Sequence, residues 1–251
     1  MHLAVHLTWP SLRRADVESR LVVIVDVLRA STTIATALHQ GAREVIPAAG
    51  PDQARALADD FPPGEVILAG ERNAQRIPGF DLGNSPLEFT AANVAGKRVV
   101  LTTTNGTNAL LATERGARDL LVGSYVNFSE VLRAVRSALQ QGTHVAIVCA
   151  GSDRHFALED AACAGRFARQ VAHTAEWGAT VQLNDAARAS MCIENHYAED
   201  IARLFADADH GRTLRLSGFA ADLEVCGQID ARPVVPAWHD GRLRARSRER
   251  G

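Results

Sequence analysis

LVVIVDVLRASTTIATALH, residues 21 to 39, is the stretch that decides the fold. Its first five residues, Leu21 to Val25, are apolar and mostly β-branched with no polar alternation, the composition of a strand buried on both faces of a parallel sheet. Asp26 ends that run, and Ser31 to His39 reads as a helix. Strand, polar exit and helix together make half of a crossover unit. The same alternation recurs along the chain. Apolar runs at Val66 to Ala69, Val99 to Leu101, Leu120 to Val122 and Val145 to Val148 read as strands, and Asp52 to Asp60, Asn105 to Glu114 and Phe128 to Gln140 as helices. This spacing predicts right-handed crossovers and a three-layer α/β/α fold with a mostly parallel sheet.

Beyond Leu158 the pattern changes. Leu158 to Ala175 and Leu183 to Ala206 read as two long helices, and a smaller helical stretch follows near Phe219. Pro233 to Trp238 reads as an edge strand, because its two prolines argue against a central position. The stretch from Arg242 to Gly251 reads as a solvated tail. No repeat or low-complexity linker interrupts the chain, so residues 1–251 are expected to form a single α/β domain with extra helices in the C-terminal third.

The chain of 251 residues is 47% hydrophobic and 22% charged, enough to bury a sizeable core. Its net charge of -2 and 5% aromatic content argue against nucleic acid, which needs cationic surface and stacking platforms. Cys149, Cys163, Cys192 and Cys226 include no CxxC pair and are expected to be free thiols. The amino terminus lacks the basic start and apolar core of a signal peptide, and no run approaches a membrane span. A cytoplasmic location is therefore expected, with no membrane partner, and a homo-oligomer is an expectation from size alone.

Four polar runs stand where apolar stretches end: DVLRASTT from Asp26, GERNAQRIPGFDLGNSP from Gly70, TTTNG from Thr102 and CAGSDRHFALED from Cys149. Strand exits are where open α/β sheets place their ligands. In the first run, Asp26 is a potential ligand for a hard cation, and Ser31, Thr32 and the free N–H groups of a helix start suit an anion; a solvent-facing Asp26 and an N-capping Ser31 or Thr32 are the simpler alternative. In TTTNG, Thr103, Asn105, Gly106 and Thr107 let the backbone approach a phosphate or sulfonate, though a capped turn explains them equally. In the second run, Glu71 or Asp81 is a candidate Mg²⁺ ligand, Arg72 a bidentate oxyanion partner, and Asn84 and Ser85 lie in the same punctuated loop; an internal salt bridge is the competing account. Glu159 and Asp160 fall in a first helical turn, where complementing the helix dipole is explanation enough unless they face Asp26 and Glu71.

Common phosphoryl-transfer patterns do not fit. Asp26 is followed by Val27 and Leu28, without the second Asp of an aspartyl-phosphate enzyme. Cys149 lacks the spacing to an arginine that a cysteine phosphatase needs, and no GxGxxG is present. Metal-assisted attack by water is the simpler proposal. Among the histidines only His155 lies within a motif, as a potential general acid.

Taken together these motifs resemble the 2-phosphosulfolactate phosphatase family. The likeness runs through DVLRASTTIATALHQGAREVIPA, GERNAQRIPGFDLGNSP, LTTTNGT, GSYVN at Gly123 and CAGSDRHFALEDAACAG, and continues more weakly into GFAADLEVCGQIDARPVVP. It implies a distinctive α/β fold and Mg²⁺-dependent hydrolysis of 2-phospho-3-sulfolactate to 3-sulfolactate and phosphate, a step of coenzyme M biosynthesis. On that resemblance Asp26, Glu71 and Asp160 are expected at the Mg²⁺ site, Asp81 or Glu159 to orient the attacking water, and Arg29 and Arg72 to clamp oxyanions. Ser31, Thr32, Asn84, Ser85, Thr103, Asn105, Gly106 and Thr107 are the expected substrate contacts. One departure stands out: where the family pattern reads Gly-Arg-Phe-Ser before Leu-Glu-Asp, this chain has Arg154, His155, Phe156 and Ala157. That change favours considering another phosphorylated hydroxy acid as substrate, and a non-enzymatic sensor of anionic metabolites is the alternative of a different class.

Overall fold

The computed structural model describes residues 1–174, 181–198 and 200–246. In chain order the elements are β1 (His2–His6), α1 (Arg14–Val17), β2 (Leu21–Val25), α2 (Ala30–His39), β3 (Glu44–Pro47), α3 (Pro51–Asp59), β4 (Val66–Arg72) and β5 (Gln75–Arg76). Next come α4 (Ala91–Val94), β6 (Arg98–Thr102), α5 (Gly106–Thr113), β7 (Asp119–Gly123), α6 (Phe128–Gln140), β8 (Val145–Cys149) and α7 (Leu158–Ala172). The C-terminal third holds β9 (Gln182–Leu183), α8 (Asp185–Tyr197), α9 (Ile201–Asp207), α10 (Asp209–Leu216), α11 (Ala220–Cys226), β10 (Pro236–His239) and β11 (Arg242–Ala245).

One mixed, mostly parallel sheet runs in the order β5-β4-β6-β3-β11-β10-β7-β2-β8-β1-β9. All five residues of β2 are buried, and they alternate between two cores. Leu21, Val23 and Val25 join Val131 and Leu139 of α6 and Phe167 of α7 on one side. Val22 and Ile24 join Ile34 and Leu38 of α2 and Leu110 of α5 on the other. The strand therefore needs apolar side chains in both directions, which is why it reads as an unbroken run. Each such side chain contributes about 1.5–3 kcal/mol of burial.

Three expectations for the C-terminal third change. The segment read as one helix from Leu183 is two, α8 and α9, because Ala198 takes a positive φ of 47° and Asp200 caps a new start by accepting the Arg203 N–H. The segment at Pro233 to Trp238 is not an edge strand. β10 and β11 form an antiparallel hairpin inserted in the middle of the sheet, joined to its two parallel halves through Ala237 beside Leu121 and Leu243 beside Val45. Pro236 opens β10, a position a central strand tolerates, so the missing N–H does not break the ladder. Finally, residues 242–245 are strand and not solvated tail: Leu243 is completely buried, and Arg242 and Arg244 both donate to the buried Glu44. The last five residues lie outside the described part.

β1 and β3 carried too little apolar signal to be read as strands. HLAVH exposes or half-exposes alternate residues, and EVIP begins on a charge that Arg98, Arg242 and Arg244 neutralise.

Candidate functional site

Asp26 leaves β2 at the foot of α2, and the chain turns tightly around it. Its N–H donates to Ser31 Oγ at 2.9 Å, and its Oδ1 accepts the Ala30 N–H at 3.1 Å. Ser31 therefore holds the turn, and the Asp26 carboxylate caps the helix. Gly106 begins α5 against the same carboxylate: a Cβ there would stand 2.6 Å from Asp26 Oδ2 and 2.6 Å from Ala30 Cβ. Two helix starts thus converge on Asp26, whose buried carboxyl is flanked by N–H groups.

Those donors do not prevail. Burial and the Glu71 charge raise the Asp26 carboxyl to about 7, against the opposing pull of the Ala30 and Gly106 amides and of Arg29. Two more buried carboxylates come from the first turn of α7. Asp160 accepts the Val27 N–H at 2.8 Å and the Gly151 N–H at 2.9 Å, tying the exits of β2 and β8 together. Burial, then the charges of Asp26 and Glu159, push it well above the ordinary range. Glu159 is raised to about 7 by burial, with Asp26 and Asp209 adding to the rise. Its Oε2 is buried with no hydrogen-bond partner. The Asp26 charge thus acts on both Glu159 and Asp160, while the Asp160 carboxylate is committed to the two backbone N–H groups.

Glu71 completes the acidic group from the exit of β4. Its Oε1 accepts both the N–H and the hydroxyl of Thr104 at 2.9 Å, and its Oε2 accepts the Ala74 N–H at 3.0 Å. Arg72 is half-buried, donating to the Glu71 carbonyl at 2.6 Å and to Thr102 Oγ1 at 3.1 Å. No salt bridge joins Arg72 to Glu71 or Asp81 among the described residues, so the internal-pair alternative falls away. Asp81 is not brought into this group: it is exposed, and its carboxylate accepts the Leu68 N–H at 2.8 Å, fastening the loop to β4.

The hydroxyl residues serve as scaffold, and the uncommitted polar groups are asparagine side chains. Thr103 and Thr107 bond one another reciprocally, the Thr103 N–H to Thr107 Oγ1 at 3.1 Å and the Thr107 N–H to Thr103 Oγ1 at 3.2 Å. Thr32 donates to the Val27 carbonyl at 3.0 Å. Asn105 is half-buried and makes no side-chain cap bond, and Asn84 Oδ1 is buried without a partner. Ser85 is turned toward Asp222, donating at 2.6 Å.

Arg29 is almost wholly enclosed. It pairs with the buried Asp222 at 2.6 Å, donates to the Ala74 carbonyl at 3.1 Å and stacks over Phe219 at 4.3 Å. Asp222 was not among the residues singled out from the sequence: FAADLEVC carries two acidic residues, and only the structure shows that Asp222 is the buried one, a charge that needs a partner, while Glu224 is exposed. His210 of α10 was also missed. It is half-buried against the Leu28 carbonyl and near Arg29, Glu71 and Asp153, and burial lowers its pKa. Nothing local in the sequence marks it.

Among the described residues no group of three or more His, Cys, Asp or Glu side chains is arranged to hold a metal ion by itself. The donor chemistry nonetheless fits Mg²⁺, which binds through one or two carboxylates and completes its shell with water and substrate oxygens. A carboxylate offers about four lone-pair directions, so one N–H per oxygen leaves room for a cation. The buried, unpartnered Glu159 oxygen is the kind of acceptor that such a site leaves open. A cavity of about 870 Å³ opens instead at the other end of the strands, beside Leu21, Arg118, Asp119 and Arg246, and takes no part in this cluster. No described helix is long and apolar enough to cross a membrane.

Comparison with known proteins adds an independent line. The family model described as 2-phosphosulpholactate phosphatase matches residues 7–241. A protein of Caldanaerobacter subterraneus subsp. tengcongensis named "Probable 2-phosphosulfolactate phosphatase" is 34% identical over 244 residues, covering 97% of this chain and 98% of its own. Proteins with the same name from Synechococcus sp. (strain CC9605) and Carboxydothermus hydrogenoformans are each 38% identical, covering 94% and 91% of this chain and 96% and 91% of their own.

Proposed function

The chain belongs to the 2-phosphosulfolactate phosphatase family, and on that premise we propose that it is a Mg²⁺-dependent phosphatase that hydrolyses 2-phospho-3-sulfolactate to 3-sulfolactate and phosphate. The observation that carries the reading is the buried group of Asp26, Glu159 and Asp160, three carboxyls raised chiefly by burial, none of them in a salt bridge among the described residues. An anionic ester would be repelled from such a group. A divalent cation removes that conflict, and when bound it would polarise the phosphoryl oxygens.

Asp26 and Asp160 would hold the ion, since their backbone bonds fix both carboxylates at the exits of β2 and β8. Glu71 stands beside Asp26 and secures the Thr104 turn. Glu159 orients the attacking water through its free Oε2 and takes its proton, a role for which a pKa of about 7 is suited. Asn105, Asn84 and the outer face of Arg72 supply neutral and cationic donors to the ester. The Asp26 charge is among those that raise Glu159, and holding the water and the phosphoryl group together there would spare them meeting by diffusion.

A second substrate is favoured by one feature. Arg154 sits in an exposed turn after β8, held over the Trp9 ring at 5.5 Å, where the family pattern places a different order of residues. Such a turn can read the acid group carried beside the phosphate. The test is phosphate release from phosphosulfolactate and from other phosphorylated hydroxy acids, with Mg²⁺ and with EDTA. Metal-dependent release that is strongest on phosphosulfolactate supports the proposal. Stronger release from another acid reassigns the substrate, and no release from any of them overturns the reading in favour of a sensor.

A further inference from the structure

Asp222 lies in the first turn of α11, yet both of its oxygens are committed to loops far away in sequence. Oδ2 pairs with Arg29, 193 residues distant, and Oδ1 accepts the Ser85 hydroxyl, 137 residues distant. Arg29 in turn grips the Ala74 carbonyl. Ala74 is the second residue of the two-residue turn joining β4 to β5, and Asn73 and Ala74 both have positive φ, 52° and 63°. That conformation suits the twist of a hairpin but is unfavourable for alanine, whose Cβ crowds the following carbonyl. Ala74 is therefore held on both sides: Arg29 takes its carbonyl from outside the hairpin, and Glu71 takes its N–H from within it. The other Glu71 oxygen holds Thr104 in the middle of the TTTNG turn.

We infer that Asp222 is a positioning residue, which by fixing Arg29 locks the Ala74 turn and so sets the Glu71 carboxylate and the Thr104 amide at the site. Its charge also neutralises Arg29, so that this arginine works as a latch between α11 and the loops and not as a free oxyanion clamp. The phenyl ring of Phe219 beneath the guanidinium confines it further. The consequence for activity rests on the phosphatase reading, and the structural consequence does not.

Two variants test it. Asp222→Asn keeps the shape and two hydrogen-bonding atoms but removes the charge, leaving Arg29 buried without a counter-ion. Ser85→Ala frees one Asp222 oxygen and leaves the ion pair in place. Amide hydrogen exchange is measured in both alongside kcat and KM for phosphate release. In Asp222→Asn, exchange at Ala74 and Thr104 should rise roughly tenfold while the amides of β2 keep their protection. kcat should fall about 10- to 100-fold with little change in KM, as when an outer partner of a site is lost. Ser85→Ala should shift the same amides and kcat in the same direction by less. Unchanged exchange at Ala74 and Thr104 in folded Asp222→Asn overturns the inference, and so does a rise spread equally over β2, which would mean general loosening. If Asp222→Asn does not fold, Ser85→Ala decides, and wild-type exchange and kcat there overturn it. Should the wild-type protein release no phosphate, the functional reading fails while the exchange measurements still decide the relay.

Discussion

Raising the pH of the metal-free protein from about 4 to about 7 should destabilise it, and Mg²⁺ should reverse the loss. In the unfolded chain the Asp26 carboxyl gives up its proton near 3.8, whereas in the folded protein it keeps it to about 7. Between those values the folded state binds more protons than the unfolded state, so stability is greatest below the unfolded pKa and falls as pH climbs through the folded one. A separation of about 3 units at ~1.4 kcal/mol each gives a loss of about 4 kcal/mol, complete above about pH 7. Glu159 moves in the same direction, from 4.5 to about 7. Glu159 is raised partly by the Asp26 charge, so the two effects do not add, and the pair together is taken as on the order of 4 kcal/mol. Two kinds of group act oppositely. Asp16, which Arg13 holds down to about 2, gains its contribution below about pH 4 and is level thereafter. His210, His6, His39 and His144, all lowered chiefly by burial, gain stability as pH rises toward 6.5 and offset part of the carboxyl loss. The assay is urea unfolding followed by tryptophan fluorescence, at steps of pH, in EDTA and in Mg²⁺. In EDTA the midpoint should fall steadily across the window. Mg²⁺ at about 100 times its Kd should restore about 3 kcal/mol near pH 7 and much less near pH 4, where protonated carboxyls bind it poorly. A midpoint that is flat or rises between pH 4 and pH 7 in EDTA refutes the crowding argument, and a Mg²⁺ effect independent of pH refutes the cation assignment.

Gly106→Ala places a methyl 2.6 Å from Asp26 Oδ2 and from Ala30 Cβ, so α5 must retreat; a loss of about 1–3 kcal/mol in urea unfolding and of most phosphate release should follow. Glu159→Gln should lower kcat about 100-fold or more with KM near wild type, and a kcat left unchanged in the folded variant removes Glu159 as the water-orienting base. Glu44→Ala leaves Arg98, Arg242 and Arg244 facing one another at the seam of the sheet. Because those arginines reach solvent, the loss should be roughly 3 kcal/mol, seen as a Tm lowered by about 6–12 °C.

What the sequence disclosed was set by range. β2, β6, β7 and β8 were legible because each is an apolar run whose meaning needs no partner, and α6 was legible from Phe128 to Gln140 for the same reason. The exits were legible as well, since Asp26, Glu71, Glu159 and Asp160 all stand within a few residues of a strand end or helix start. Their division of labour was not. That Asp160 fastens Val27 is a contact across 133 residues, and that Arg29 is enclosed by Asp222 is one across 193. The β10–β11 hairpin misled for a related reason: two prolines forbid an ordinary central strand, but here a short hairpin with one bridging residue on either side fills the gap between two parallel halves.

The acidic group also bears on why an enzyme is a better account than a sensor. A protein that only bound anionic metabolites would gain by setting cations or bare N–H groups in its site, and here the amides of Ala30, Gly106, Val27 and Gly151 are already turned to the protein's own carboxylates. The main arginine is equally committed, to Asp222. Buried carboxylates left without a counter-charge lower stability, and sequences do not keep them crowded for the sake of the fold. Under the proposed reading, their arrangement would become favourable when a cation joins them and brings the anionic ester with it. Binding and chemistry then have the same requirement, which is why removal of Mg²⁺ should abolish both substrate binding and turnover, whereas a sensor would go on binding its anion in EDTA.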